Sequence, residues 1–428
     1  MTTFQQRAAL RFPALGSRDF FIFWVGQFVS LIGTWMQSTT LPYLTYRLTG
    51  SSLALGIVGF ATTLPTLFLA LPGGVIVERL DKRKAVIALQ TVMMIQAFAL
   101  AYLTLSSKIE FWQIVMLSLV LGAASAIEIT ARQAMLVELV GKPALPNAIA
   151  LQATVFNLAR VLGPLLVAPF LLLLPQNGEG WAFFFNGVSY LFVIVSLLFV
   201  HTPFKAVAEI SVVTNLRAEF REGMGYIART QVMWLMIVMA ATIGFFGFPF
   251  TQQIPALARD VLAVTGEAAS SVAARNSALY AAQGVGALIA AVYLALHSNA
   301  RRMGRLLLAG QLAYVFALIL ISAVSTLPPA LILITFLGWG TVTQLATMNT
   351  LIQLEVPDHL RGRVFSAYLW ALQGIAPFGS LVVGWLAQSL GVPTTAFIAG
   401  AICLVVIGGL HLRYPVIRNL TGGASEPA

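Results

Sequence analysis

Two ionisable side chains stand inside long apolar runs of this chain: Glu128 in SAIEITAR and Arg160 in FNLARVLGP. A charge within hydrocarbon is costly, and wherever one occurs it is a functional hypothesis by default. Glu128 precedes Arg132 by four residues, a helical spacing that favours a local ion pair. It is also the one acid placed to carry a proton through a span. Arg160 lies thirteen residues beyond Asn147, so about 20 Å deep at about 1.5 Å per residue. A guanidinium does not deprotonate in proteins and cannot carry a proton. Two roles stay open for it: attracting an anionic substrate, or holding helices together through backbone carbonyls. Asn157, one turn away, and Gln152 are polar neighbours on the same helix.

The densest charge is PGGVIVERLDKRK, which sets Glu78, Arg79, Asp81, Lys82, Arg83 and Lys84 between apolar runs at roughly 53–77 and 85–106. Each run is long enough to cross a hydrocarbon core about 30 Å thick, which makes the knot a tight turn at a membrane face. Other chemistries lack their residues. No G-x-x-x-x-G-K-[ST] phosphate loop occurs, so no ATP site of that kind is expected. His201, His297, His359 and His411 are scattered without metal-ligand spacing. Cys403 is the only cysteine, which rules out disulfides within the chain and Cys-based metal sites. No cofactor or metal is expected.

The elements that must position these residues are transmembrane helices. Of the 428 residues 59% are hydrophobic and only 9% charged, with a mean hydropathy of +0.88, whereas soluble chains carry about 25% charged residues. Apolar runs predict about twelve spans, at roughly 20–45, 53–77, 85–106, 111–130, 147–172, 181–201, 232–258, 271–296, 304–324, 328–352, 364–388 and 393–413. The first run is too long for a signal-peptide core, so it is expected to remain as a helix. A net charge of +10 would point to nucleic acid in a soluble protein. Here the bases fall in short loops on the side of the termini, and the opposite loops hold only Arg47, Lys108, Arg259 and Arg275. That asymmetry predicts cytoplasmic termini and explains the charge without nucleic acid. The bilayer and a small-molecule substrate are the partners expected, for a chain read as a monomer.

The long polar connection at 202–231 divides the chain into two six-helix halves, 1–201 and 232–428. Within it Leu216, Phe220 and Ile227 share one helical face, as expected of a segment lying on the inner membrane surface. The halves also look alike. Aligning Glu138 with Glu355 brings Pro164 close to Pro377, which suggests two parallel repeats with substrate bound near the midplane.

On these residues the chain resembles the major facilitator superfamily, within it the group of drug and siderophore exporters. The resemblance spans about residues 18–413. The usual G-x-x-x-D-R-x-G-R-R loop reads here Gly74, Glu78 for Asp, Arg79, Asp81 for Gly, Lys82 and Arg83. GPLLVA at 163–168 resembles an antiporter motif, with Val167 and Ala168 replacing its final glycines, and VPDHLRGRV at 356–364, which carries Arg361 and Arg363, matches the loop before the eleventh helix. The resemblance implies an all-α fold of twelve helices in two bundles around a central cavity. It implies a first-loop gate in which Glu78 faces the start of the eleventh helix and Lys82 or Arg83 pairs with Glu128. It places Gln27, Trp35, Phe246, Gln253, Trp339 and Gln344 on cavity-lining helices, with Arg160 and Asn157 beside them. The function implied is secondary, proton-coupled export of amphipathic organic molecules across a bacterial inner membrane. Uptake by symport is the alternative. A polytopic membrane enzyme would need a sizeable loop with clustered acids, which this chain lacks.

Overall fold

The computed structural model of the chain describes residues 12–78, 80–174, 177–202, 204, 216–264, 266–296, 303–357 and 359–421. Helices dominate, and no strand occurs among the described residues. We number them α1 (Arg18–Thr49), α2 (Ser52–Glu78), α3 (Lys82–Leu105), α4 (Phe111–Leu173), α5 (Gly178–Leu198), α6 (Leu216–Arg229), α7 (Gln231–Val261), α8 (Ala269–Leu296), α9 (Met303–Ala323), α10 (Leu327–Glu355), α11 (Arg361–Leu390) and α12 (Val392–Arg413). All but α6 are long and apolar enough to cross a membrane, eleven helices in all among the described residues.

One of the eleven is two spans. At 63 residues α4 would be about 95 Å long if straight, roughly three times the hydrocarbon thickness. It breaks at Gly141, where φ is 72° and ψ is 163°, a conformation open to glycine and strained for other residues. The resulting first arm (111–140) and second arm (142–173) bring the apolar spans among the described residues to twelve. The loop expected at 131–146 is therefore helical up to the break. Its residues Ala131, Met135, Leu136 and Leu139 are buried in a core with Phe20, Phe23, Val86, Val193 and Leu197, and burying that stripe carries the helix ten residues past its expected end.

The break also exposes a backbone problem and its solution. Pro143 has no N–H to give the carbonyl of Leu139 four residues back; the Ser17 hydroxyl donates to that carbonyl instead, at 2.9 Å. Beside it the Ala14 N–H donates to Asn147 Oδ1 at 3.1 Å. In α7, Pro255 likewise has no N–H to give the carbonyl of Thr251; that carbonyl accepts instead from the Ile254 N–H in a tightened turn and from the Tyr280 hydroxyl of α8 at 3.1 Å.

By internal contacts the chain divides into two units, Met1–Leu48 with Leu64–Ile210 and Ala268–Ser277, and Thr49–Thr63 with Ser211–Glu267 and Ala278–Ala428. In the first unit α3 packs against the first arm of α4 and against α5. There α1 lies against α5 at Gly26 and Gly33, where an added Cβ would come within 3 Å of Ser196 and Ser189. Small residues two turns apart let two backbones close in this way. In the second unit α9 packs against α10. Its hydrogen-bond ladder widens to i→i+5 turns in α7 at Ile243–Gly247 and Leu257–Val261, in α11 at Trp370–Gly374 and in α12 at Leu404–Gly408. The first α7 turn abuts that of α11, where Gly244 leaves no room for a Cβ beside the Leu372 carbonyl. The amphipathic α6 buries Ile227, and its Glu222 pairs with Arg363.

Gly141→Ala is expected to lower the melting temperature of the purified protein, the strain costing about 1–3 kcal/mol. Gly225→Ala is its control: that α6 glycine has open space around it, and the melting temperature should hold or rise.

Candidate functional site

The charges of the first loop sort into distinct structural tasks. Asp81 caps α3, its carboxylate accepting from the Lys84 N–H at 3.2 Å, so the acid that departs from the superfamily pattern starts a helix. Arg83 donates to the carbonyls of Val200 at 2.9 Å and Leu198 at 3.0 Å. A cation there meets the negative end of α5. Asp19, in the first turn of α1, accepts from the backbone N–H groups of His201 and Thr202 and from the Thr202 hydroxyl. The end of α5 is thus held by a base from α3 and an acid from α1.

Lys82 is buried and pairs with Glu138. This corrects the expected pairing of Lys82 or Arg83 with Glu128. The reason is register. α3 and the first arm of α4 run antiparallel, so moving inward eight residues from Lys82 and ten from Glu138 brings Gln90 opposite Glu128, and the Gln90 amide donates to Glu128 Oε1 at 2.9 Å. Three residues further in, Ser125 Oγ lies 3.5 Å from Met93 Sδ. Glu128 therefore sits about 15 Å inward of Glu138 at about 1.5 Å per residue, out of reach of a base at the mouth of the helix. Gly74 and Glu78 belong to the last turns of α2; their surroundings and Arg79 lie outside the described residues. Arg361 opens α11. Arg363 pairs with Glu222 of α6, and the hydroxyl of α6 Tyr226 lies 3.4 Å from the Glu355 carbonyl at the end of α10.

Deeper in the first unit a polar chain forms. Arg132 Nε lies 3.0 Å from Glu128 Oε1, and Arg132 Nη1 donates to Gln152 Oε1 of the second arm at 3.3 Å. Gln90, Glu128, Arg132 and Gln152 thus tie α3 to both arms of α4. Glu128 is buried, with 4% of its surface exposed, and a buried acid within a span persists only with partners of this kind. A second buried cluster, not anticipated from sequence, joins Gln37, Gln96 and Asn186: Asn186 donates to Gln37 Oε1 at 2.7 Å and Gln37 to Gln96 Oε1 at 3.2 Å. Polar residues at matching depth on α1, α3 and α5 were the available signal.

Further along the second arm the Arg160 guanidinium carbon lies 5.2 Å above the centre of the Trp35 ring. Phe156 meets the same ring edge-on at 5.5 Å. Asn157, expected beside Arg160, gives its amide to the Ala153 carbonyl of its own helix at 2.8 Å. Gln27 is buried on α1. In the second unit Phe246 packs against Phe245 in the first widened turn of α7. Gln253 is fully buried and donates to the Ser52 carbonyl at 3.2 Å. Trp339 is half-buried on α10, and Gln344 is buried with both amide atoms lacking a hydrogen-bond partner among the described residues. Gln311 bridges α12 and α7, 2.8 Å from His411 Nε2 and 3.2 Å from Met239 Sδ. No group of three or more potential metal ligands occurs among the described residues.

A double-mutant cycle in purified protein tests the register. Lys82→Met and Glu138→Gln should couple by more than about 0.5 kcal/mol in thermal stability, whereas Lys82→Met and Glu128→Gln, too far apart to share a contact, should add. Coupling in the second pair and additivity in the first would restore the Glu128 pairing.

Residues 11–425 match the family described as transmembrane secretion effector. Among similar proteins are the staphyloferrin A transporter of Staphylococcus aureus, 24% identical over 90% of this chain and 94% of that one. The multidrug efflux pump Tap of Mycolicibacterium fortuitum is 23% identical over 91% and 93%, and the enterobactin exporter EntS of Salmonella choleraesuis 23% over 91% and 90%. Among solved structures, a POT family transporter in complex with 5-aminolevulinic acid superposes with a TM-score of 0.73 over 94% of this chain and 97% of that one, at 12% identity. The D323A mutant of the nucleoside transporter NupG gives 0.70 over 93% and 100%, also at 12% identity. These structures share the fold, and with helices on this pattern and a family match along nearly its whole length, the chain belongs to the transmembrane secretion effector family of major facilitator superfamily transporters.

Proposed function

We propose that this multi-pass membrane transporter exports small amphipathic organic molecules by alternating access, driven by protons and with its termini in the cytoplasm. The observation that carries the coupling is Glu128, a buried acid within a span that forms a polar chain with Gln90, Arg132 and Gln152. A carboxylate held by one cation and one amide changes its interactions when it takes up a proton, and a ligand or proton shifts a conformational equilibrium by the difference in its affinity for the two states. Gln90 belongs to α3 and Gln152 to the second arm, so a change at Glu128 reaches three spans. Export is supported by the efflux pump and the enterobactin exporter among the similar proteins. Cytoplasmic termini are supported by the concentration of Lys and Arg on their side of the chain.

The ion pairs at that same end fit the role of a latch. Lys82 with Glu138 and Arg363 with Glu222 each tie the start of one span to a neighbouring helix. Pairs present in one conformation and broken in another would set the balance between states.

Two measurements test this reading. Inside-out vesicles should accumulate a fluorescent amphipathic substrate when a proton gradient is imposed and lose it on adding a protonophore. Glu128→Gln should remove the gradient-driven part, at least tenfold in rate, while leaving exchange of labelled for unlabelled substrate. Accumulation only in right-side-out vesicles would establish uptake instead, and gradient-driven transport at the wild-type rate in Glu128→Gln would remove Glu128 from the coupling. For orientation, single cysteines in a Cys403→Ala background should react with an impermeant maleimide from the cytoplasm at position 209 and from outside at position 178. Cytoplasmic labelling at 178 would overturn the topology.

A further inference from the structure

We infer that the C-terminal end of α12 binds an anionic phospholipid, with the lipid phosphate at Arg413 and an acyl chain in a glycine slot between Val405 and Leu412. The site is independent of substrate, direction and coupling, since a lipid meets the protein from the bilayer whatever is transported.

The last carbonyls of a helix lack donors, and a cation near them is favourable. At the end of α12 other groups already do that work. Arg418 turns back and donates through Nη2 to the His411 carbonyl at 2.6 Å, and the Tyr414 N–H donates to the Leu410 carbonyl at 2.9 Å. The chain beyond is pinned to α9: the Gly304 N–H donates to the Leu420 carbonyl at 3.0 Å, and Gly304 has no room for a Cβ beside the Ile417 carbonyl. Arg413 is exposed, and among the described residues the one partner of its guanidinium is the Tyr414 ring, its centre 5.5 Å from the guanidinium carbon. Trp234, in the first turn of α7, meets Tyr414 edge-on at 5.5 Å. Trp and Tyr belong at the boundary between acyl chains and headgroups. A cation at that level, with five donors and no carboxylate beside it, matches a phosphate two donors at a time.

The apolar half lies inward along the same helix. Val405 and Leu412 are 74% and 75% exposed, about two turns apart on one side of α12. Between them Gly409 is exposed and has open space where a Cβ would stand, and a Cβ on Gly408 would meet only the tip of Leu404, at 3.7 Å. Glycine is a poor helix former. At Gly26, Gly33 and Gly244 it lets another helix close in, but Gly408 and Gly409 have no neighbouring helix to admit. What they leave is a slot one side chain deep, leading from the apolar interior toward Arg413. An acidic protein segment would suit the cation and leave the slot within the span unused; a phospholipid has both parts in this order. Arg413 favours a headgroup whose phosphate carries no cation of its own.

The test is thermal melting of purified full-length protein in nonionic detergent, with phosphatidylglycerol or phosphatidylcholine of the same acyl chains added. A ligand of the folded state raises the melting temperature, and the two lipids are compared within each variant so that differences in starting stability cancel. Phosphatidylglycerol should act at a concentration at least tenfold below phosphatidylcholine. Arg413→Gln should abolish that preference, and Arg413→Lys should keep part of it. Gly409→Leu fills the slot and should weaken both lipids at least threefold, while its melting temperature without lipid holds or rises. Equal action of the two lipids on the wild type, an undiminished preference in Arg413→Gln, or an unchanged lipid response in Gly409→Leu would overturn the proposal. So would equal protection by inorganic phosphate, which would make this a site for a free anion.

Discussion

Inside a bilayer there is no water to complete a hydrogen bond, and a backbone carbonyl left bare there is costly. A proline in a helix interior removes the usual donor of the carbonyl four residues upstream. Two of these carbonyls in this protein receive a hydroxyl from another segment, Leu139 from Ser17 and Thr251 from Tyr280. The donors do more than satisfy an acceptor. Ser17 and Ala14 fasten the start of the chain to the break in α4, and Tyr280 fastens α8 to the tightened stretch Phe248–Gln253 of α7. Prolines that loosen single helices thus become points where helices are joined.

The same constraint governs the charged residues. Lys82, Glu128 and Arg160 are each held by a specific partner at their own depth: Glu138 near the helix mouth, Arg132 and Gln90 further in, and the Trp35 ring near the middle of the second arm. Depth decides partner, because two helices side by side offer each other only residues at matching levels. Charge complementarity alone would have allowed Lys82 to choose Glu128. About 15 Å of helix excludes it.

Glycine supplies the complementary element. At Gly26 and Gly33 two helices approach until side chains touch backbone, and at Gly163 the approach brings Arg160 over Trp35. The polar chain through Glu128 on the first arm of α4 crosses to the second arm at Gln152, two turns before Arg160 on that same arm.

The sequence by itself determined the class of the protein and nearly all of its spans, because an apolar run of about twenty residues has no other stable place. It also determined Glu128 with Arg132, since four residues on a helix fix their proximity whatever surrounds them. The break at Gly141 was less legible: GKPALPN announces an interruption, but whether a loop or a kinked helix follows depends on the core that buries Met135 and Leu139. Only the tertiary structure decided which acid Lys82 meets, that Arg83 closes α5, that Asn157 turns back on its own helix, and that Gln37, Gln96 and Asn186 find one another. Those outcomes depend on the register and rotation of neighbouring helices. Hydrophobic runs set how long a helix is, and leave its register to the side chains that meet across the interface.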